Sequence, residues 1–323
     1  MDKKIPREVK NIAEVLKKAA FEAYLVGGCV RDLLMDRDPK DWDIATNARP
    51  EEILKLFPES VYENKFGTVG IKTKSLTKDA SIDGSISILE PPGAVGVIEL
   101  TTFRLEGKYT DKRHPDEIKF AKIIEEDLGR RDFTINAIAA ELPITNYQLP
   151  KLIDPFNGQA DLKNKIIRTV GNPSERFNED ALRLMRAIRF AVQLDFQIEE
   201  KTADAIKKHA SLLQVIAEER IRDELIKIIL TDKAKEGMEM LENLGLLQYI
   251  IPELREGIGI GQNKHHIYNV WEHNLRSLDY AVKKNYSLEI RLAALLHDVG
   301  KPRTKGGDGP DSTFYNHDAV GAR

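Results

Sequence analysis

Two aspartates one residue apart, Asp41 and Asp43 in Lys40-Asp41-Trp42-Asp43-Ile44-Ala45, offer the clearest chemistry in this sequence. On a β-strand they project to one face. Carboxylates so placed repel each other unless cations lie between them. Magnesium takes oxygen ligands, and two ions about 3.5–4 Å apart can clamp both the attacking and the leaving oxygen of a displacement at phosphorus. The alternative is a solvated turn, since Asp-x-Asp spacing arises by chance in a chain with 52 acidic residues. What raises the pair is its position, one helix after a glycine turn.

That turn is Leu25-Val26-Gly27-Gly28-Cys29-Val30-Arg31. Gly27 and Gly28 let backbone approach a ligand closely. The helix that follows would aim free N–H groups and a partial positive charge at an anion, and Arg31 adds charge to suit a triphosphate. An ordinary tight turn explains the same residues. Glu99, on an otherwise apolar and β-branched stretch, is a candidate third carboxylate or an outward-facing surface residue. In Arg130-Arg131-Asp132-Phe133-Thr134-Ile135-Asn136, Arg131 suits phosphate or ribose contacts and Asn136 a sugar hydroxyl. Asp132 either joins them or caps the following helix.

Further on lies Glu179-Asp180-Ala181-Leu182-Arg183-Leu184-Met185-Arg186-Ala187-Ile188-Arg189. Asp180 and Arg183 are i,i+3 neighbours on an expected helix, where an intrahelical ion pair is the plain reading. An acceptor beside a donor also complements the edge of cytosine or adenine, whereas guanine and uracil present the opposite order. Arg186 continues that side of the helix; Arg189 has rotated roughly half a turn from Asp180.

These residues need elements to hold them. Apolar spacing predicts a helix over 8–21, a strand over Ala23–Val26, a helix over Val30–Met35 and strands over Asp41–Ala45, Gly67–Lys72 and Gly96–Phe103. Residues 73–95, rich in Ser, Thr, Lys and Asp with Pro91-Pro92-Gly93, read as a surface loop or loose hairpin. After about Arg130 helices dominate, over 133–141, 178–193, 199–210, 217–230, 233–247, 270–283 and 288–299. The fold class is α+β: a mixed sheet with helices on one face, then an all-α body. A new helix is expected to begin at Asp318, so the sequence reads as stopping inside an element.

Composition bounds the partners. At 323 residues two or more domains are expected. The net charge of -3 advertises no nucleic-acid binder, although a metal-binding acidic cluster beside a basic groove would cancel in the sum. The single Cys29 excludes an intramolecular disulfide and suits a reducing compartment. With no apolar h-region after Met1–Arg7 and no apolar run approaching 20 residues, neither a secretory signal nor a membrane span is expected, and the location reads as cytoplasmic.

Taken together the motifs resemble the class II tRNA nucleotidyltransferases, meaning the CCA-adding enzymes and the related bacterial poly(A) polymerases. The order matches: Gly-Gly-x-Val-Arg-Asp with Asp41-x-Asp43; Thr102-Phe103-Arg104; Tyr109-x-Asp111-x-Arg113-x-Pro115; Asp127-Leu128-x-Arg130-Arg131-Asp132-Phe133-Thr134-x-Asn136-Ala137; Asp154-Pro155-Phe156-x-Gly158; Glu179-Asp180-x-x-Arg183; and Glu218-Glu219-Arg220-Ile221. The resemblance implies a catalytic head of the DNA polymerase beta type over 1–143. A neck with a nucleotide-selecting helix (144–213), a helical RNA-binding body (214–264) and a truncated HD-type domain (265–323) would follow. It further implies that Asp41 and Asp43 bind two magnesium ions and that Gly28, Arg31 and the Arg131 region contact the nucleotide. Asp180 and Arg183 would select C or A, with tRNA, CTP and ATP as partners. The default function so implied is addition of CCA to tRNA 3′ ends from CTP and ATP without a nucleic-acid template; CC, A and poly(A) addition use the same residues, and an HD-type phosphohydrolase is the alternative. Two departures are Met35, where the family often has glycine, and the long 73–95 connection. The C-terminal motifs, Trp271-Glu272-His273, His297-Asp298-Val299-Gly300-Lys301 and His317-Asp318, resemble an HD-type phosphohydrolase. His273, His297, Asp298 and His317 are the candidate ligands of a second divalent metal.

Overall fold

Apolar residues at helical spacing, Val9, Ile12, Ala13 and Leu16, are buried along one side of α1 (Arg7–Lys18). The computed structural model describes residues 5–62, 67–72, 97–107, 118–142 and 151–323. The expected 73–95 loop and the Tyr109–Pro115 motif lie outside them. After α1 come β1 (Ala23–Val26), α2 (Gly28–Leu34), β2 (Asp43–Thr46), α3 (Pro50–Leu56), β3 (Val61–Tyr62), β4 (Thr68–Lys72) and β5 (Val97–Thr102). Then follow β6 (Arg104–Glu106), β7 (Ile118–Phe120), α4 (Ile124–Gly129), β8 (Ala139–Glu141), β9 (Leu152–Ile153) and α5 (Gly158–Asn164). Pro50 opens α3 with a ring already set for helix, and Glu52 accepts from the Arg49 N–H at 2.8 Å.

Seven strands form one mixed sheet in the order β3-β4-β5-β2-β1-β8-β9. The pairing of β2 with β5 is parallel; the five others are antiparallel. One row of register partners crosses the sheet as Ala140, Leu25, Ile44, Leu100 and Val69. All five have no exposed surface and join α1, α2 and α3 in a single apolar core. Burying each Leu, Ile or Val contributes about 1.5–3 kcal/mol. Because side chains alternate along a strand, the next row, Asp43, Glu99 and Gly70, points away from that core.

Three expectations need correction. Strand β2 starts at Asp43, so Asp41 precedes it and strand alternation does not orient Asp41. The expected helix over 133–141 is instead a 3-10 turn (Thr134–Asn136) followed by β8. There the Thr134 hydroxyl is spent on buried Asp161 at 2.6 Å, and β8 finds its backbone partners on β1. Tertiary pairing overrides local helix preference here. The expected helix over 178–193 breaks at Asp180, whose backbone is extended (φ -135, ψ 105). Its carboxylate accepts the Leu182 N–H at 3.1 Å, serving as a cap where a helix interior was expected.

The chain divides into two compact units, the second running from Lys165 to Arg323. It holds a short parallel pair, β10 (Ile166–Ile167) with β11 (Gln197–Ile198). Its helices are α6 (Pro173–Glu179), α7 (Leu182–Leu194), α8 (Glu200–His209), α9 (Glu218–Ile229), α10 (Ala234–Asn243) and α11 (Pro252–Arg255). They continue with α12 (Val270–Lys283), α13 (Leu288–Leu296), α14 (Lys301–Thr304) and α15 (His317–Gly321). Helix α7 is buried almost all round and packs on α9 and α10. Gly237 lets α10 approach α9: a Cβ there would meet Ile228 Cγ2 at 2.5 Å. Buried Arg291 of α13 donates to the Ile229 and Thr231 carbonyls at 3.0 and 3.1 Å, placing a cation at the C-terminal end of α9.

Candidate functional site

The polar face of the head sheet is built from the β2–β5 pairing. Asp43 is the first residue of β2 and lies in register with Glu99 of β5, so both carboxylates project on one side. On the far side of Glu99 its register partner is the buried Gly70 of β4. Burial pushes the Asp43 carboxyl above the usual carboxylate range; Arg131 pulls it down and the negative charge of Asp41 pushes it up. Asp41 is exposed, yet close enough for its charge to act on Asp43.

Gly27 sits against this pair. Its backbone (φ 73, ψ -137) falls in a region favoured by glycine. A Cβ built there would lie 2.9 Å from Arg131 Nη1 and 3.4 Å from Asp43 Oδ2. The glycine turn, the Asp43 carboxylate and the Arg131 guanidinium therefore converge on one point. Arg131 is held from behind by Asp127, a residue of the Asp127-Leu128-x-Arg130-Arg131 motif to which the sequence reading assigned no role. Asp127 has no exposed surface. It accepts from Arg131 Nη2 at 3.2 Å, from Arg130 Nε at 2.9 Å and from the Arg104 N–H at 3.3 Å. Burial alone would raise this carboxyl, but the two arginines hold it below the ordinary range. Its i,i+4 spacing to Arg131 was the available signal. Arg131 Nε is buried and has no hydrogen-bond partner among the described residues.

The other sequence candidates of the head form a polar chain. Arg31, 6% exposed, donates through Nε to Asp32 at 2.8 Å and through Nη1 to Asn136 Oδ1 at 2.9 Å. Asn136 donates to Asp132 Oδ1 at 3.2 Å, and the same oxygen accepts the Phe133 N–H at 2.8 Å. Asp132 thus caps its own turn while sharing in the network. Gly28 lies beside Arg31, whose Nη2 would be 3.6 Å from a Cβ there. Carboxylate oxygens are the right donors for a hard divalent cation, and Asp43 and Glu99 share one face, but among the described residues the three-ligand group within metal-binding distance is His273, His297 and Asp298, not a set in the head.

In the second unit, Asp180 accepts from Arg220 Nη2 at 3.1 Å. Arg183 is 8% exposed and donates to Glu179 Oε2 at 2.6 Å and the Arg176 carbonyl at 3.2 Å. Its salt-bridge partner is therefore Glu179, and Asp180 holds Arg220 of α9. Arg186 lies over the Phe190 ring at 5.4 Å. Arg189 donates to Glu224 at 2.6 Å, tying α7 to α9.

A separate cluster joins α12 to α15. His273 Nε2 and His297 Nε2 are 3.2 Å apart, and they lie 3.4 and 3.3 Å from Asp298 Oδ2. His317 Nε2 is 3.5 Å from Asp298 Oδ1. The His297 and His317 Nδ1 atoms face the Ala294 and Phe314 carbonyls at 3.0 and 2.8 Å. A carbonyl only accepts, so Nδ1 carries the hydrogen and a neutral ring offers the Nε2 lone pair to the centre. Burial lowers His273, favouring its neutral form, while the hydrogen bond to Asp298 raises His297. Asp298 sits far below the usual range: burial opposes this, but hydrogen bonds from His297 and from Lys301, at 2.7 Å, prevail. Lys301 is locked in turn by Gln262 at 2.7 Å. Two or three imidazoles with one carboxylate suit a transition metal.

Comparison with known proteins accounts for this layout. Residues 23–168 match the poly A polymerase head domain, 195–258 the probable RNA and SrmB-binding site of polymerase A, and 270–323 the HD domain. A CCA-adding enzyme of Ligilactobacillus salivarius is 44% identical over 249 residues, 76% of this chain and 55% of the relative. That of Lactococcus lactis subsp. lactis is 44% identical over 256 residues, covering 78% and 58%. The chain thus spans little more than half the length of the curated relatives it matches. The crystal structure of the Bacillus stearothermophilus CCA-adding enzyme in complex with CTP aligns with a TM-score of 0.64 at 32% identity, covering 90% of this chain and 65% of that one. A tRNA nucleotidyltransferase complexed with a primer tRNA and an incoming ATP analog aligns at 0.64 with 26% identity, covering 88% and 74%. The chain belongs to the nucleotidyltransferase family that unites the CCA-adding enzymes with the poly(A) polymerases.

Proposed function

We propose that the chain adds C and A residues to the 3′ end of tRNA from CTP and ATP, without a nucleic-acid template. The observation that carries this is the convergence of Asp43, its register partner Glu99, Gly27 and Arg131 on one side of the head sheet. Asp41 and Asp43 would hold two magnesium ions, with Glu99 as the third carboxylate. Such ions, when bound, favour the ionised 3′-hydroxyl and neutralise the departing pyrophosphate. Gly27 lets the Arg131 guanidinium stand against the turn beside Asp43. Arg131, fixed by Asp127, would bind phosphate or ribose oxygens. Arg31, Asp132 and Asn136 would hold the turn and reach the nucleotide, and Gly28 would let the backbone approach it. Asp180 and Arg183 would read the base edge, with Arg186 and Arg189 as further nucleotide contacts. The relative crystallised with CTP and the one with primer tRNA support these substrates.

His273, His297, Asp298 and His317 would hold a second, separate divalent metal. The division into head (1–143), neck (144–213), body (214–264) and HD region (265–323) is the working domain scheme. No helix among the described residues is long and apolar enough to cross a membrane, and we assign the protein to the cytoplasm.

The test is nucleotide addition to tRNAs ending before, within and after CCA, with CTP and ATP supplied separately and together. Asp41→Ala and Asp43→Asn should each abolish addition while leaving the unfolding midpoint close to wild type. Retained addition in either variant would overturn the metal assignment. Addition of A alone, in long tails, would replace the CCA assignment with a poly(A) one.

A further inference from the structure

The Asp154-Pro155-Phe156-x-Gly158 motif enters none of the chemistry above. It opens α5: the Asp154 carboxylate accepts the Gly158 and Gln159 N–H groups at 2.7 and 2.9 Å and the Gln159 side-chain amide at 3.1 Å. A carboxylate so placed stabilises the start of a helix. Helix stability does not account for what α5 touches. Leu162 packs against the apolar core of the sheet, and α5 lies in the same compact unit as that sheet. Gly158 comes so close to the 3-10 turn that a Cβ there would lie 2.2 Å from the Thr134 carbonyl oxygen and 2.8 Å from Ile138 Cγ1. This approach brings the Asp161 carboxylate to the Thr134 hydroxyl, which donates to it at 2.6 Å; both residues are buried.

The turn thus has a back and a front. A 3-10 helix makes three residues per turn, so side chains two apart point to different sides. Thr134 faces α5. Asn136 faces Arg31, accepting from its Nη1 at 2.9 Å and donating to Asp132 at 3.2 Å. Inside the turn, the Asn136 and Ala137 N–H groups bond to the Phe133 and Thr134 carbonyls at 2.9 and 3.0 Å. Such bonds have poorer geometry than those of an α-helix, so a short 3-10 segment gains much from a contact outside itself. The Thr134–Asp161 bond has the length of a hydroxyl donating to a carboxylate, the stronger class of hydrogen bond, and it lies away from water.

We propose that Asp161 and Thr134 are positioning residues for the incoming nucleoside triphosphate. Their bond pins the back of the turn to α5, and the turn in consequence presents Asn136, and through it Arg31, at a fixed place on the front. Neither residue touches the nucleotide. Each sets its affinity through Asn136, because a displaced contact loses much of its binding energy. This rests on the reading of Arg31, Asp132 and Asn136 as nucleotide contacts given above. It adds that nucleotide affinity depends on α5, which carries none of those contacts.

Calorimetry of the full chain with magnesium and CTP, without RNA, reads nucleotide affinity directly. Addition of CTP to a tRNA ending before CCA reads KM and kcat. Thr134→Val keeps the side-chain shape and removes the hydroxyl. It should weaken CTP binding and raise the KM for CTP at least fivefold, with kcat within twofold and the KM for tRNA unchanged. Thr134→Ser returns the hydroxyl and should return the affinity. Asp161→Ala should match Thr134→Val, and the two together should cost no more than either, because they break one bond. Asn136→Ala should also weaken CTP binding, and adding Thr134→Val to it should cost less than twofold more. If Asn136→Ala binds CTP as well as the unaltered chain does, the nucleotide-contact reading falls and this inference with it. If Asn136→Ala weakens CTP binding but Thr134→Val does not, the inference alone falls. A loss of kcat at unchanged KM, or a Thr134→Ser variant as impaired as Thr134→Val, makes the bond a matter of folding and overturns the inference as well.

Discussion

Replacing Gly27 with alanine adds one methyl group at the point where the head site converges. Two costs follow from the geometry. The backbone at φ 73, ψ -137 is close to a region populated almost only by glycine, and holding alanine there costs about 1–3 kcal/mol. The new Cβ would sit 2.9 Å from Arg131 Nη1, closer than real side chains tolerate. The guanidinium must therefore move, loosening its bond to buried Asp127 by ~1 kcal/mol. Together the loss is about 2–4 kcal/mol. Gly171 provides the control. Its φ is also positive, at 68, but nothing lies within 4 Å of a Cβ there. Gly171→Ala therefore carries backbone strain alone. Urea unfolding of both variants, compared at constant slope, separates strain from contact. Gly27→Ala should be the less stable by ~1 kcal/mol and should lose at least tenfold in kcat for nucleotide addition, since Arg131 no longer stands beside Asp43. Gly171→Ala should keep its kcat. If Gly27→Ala costs no more than the control and keeps full turnover, the convergence of turn, arginine and carboxylate is not what the site depends on.

Three further outcomes are expected. Asp127→Asn strips a buried counter-charge from two arginines and should destabilise the head by about 3–5 kcal/mol. In urea-free assays it should raise KM for the nucleotide more than it lowers kcat; an unchanged KM rejects its role in holding Arg131. The raised Asp43 carboxyl is protonated more readily in the metal-free folded head than in the unfolded chain. Its contribution to stability is therefore present below the unfolded value of 3.8 and fades as pH rises through the folded value. Magnesium should bind more tightly as pH rises through that window and release protons, which calorimetry in two buffers of different ionisation enthalpy will detect. Cys29 is buried and its thiol is pushed up to about 12 by that burial. It should resist aromatic disulfide reagents at pH 8 until urea opens the head, and fast labelling of native protein contradicts its place in the core.

Some of this was legible because local pattern and tertiary structure agree. The turn stands out because Gly27, at φ 73, needs glycine, and the apolar rows through Leu25 and Leu100 set which face of each strand is wet. Glu99 could be read either way until β5 was seen beside β2, because register between distant strands is not written in local spacing. The same limit misplaced Asp41, which lies before the strand whose alternation was invoked for it. Thr134 and Asn136 read as helical on pattern, yet their side chains answer to Asp161 and Asp132, and β8 follows its backbone partners. At Asp180 a carboxylate able to cap interrupts a run of good helix formers, and only the α9 arginine that it holds explains why the break sits there. Asp127 was named within its motif but given no role, because a buried acid in a charged motif looks like a surface residue.

The parallel β2–β5 pairing carries a consequence for how the protein matures. A hairpin cannot make it; β5 must slot between β4 and β2, which come from an earlier stretch of polypeptide. Joining such distant segments is slow compared with forming helices or hairpins. Until that docking, Glu99 has no neighbour in Asp43. The juxtaposition of these two carboxylates therefore waits on long-range pairing, and any site that needs both cannot exist in a half-built sheet.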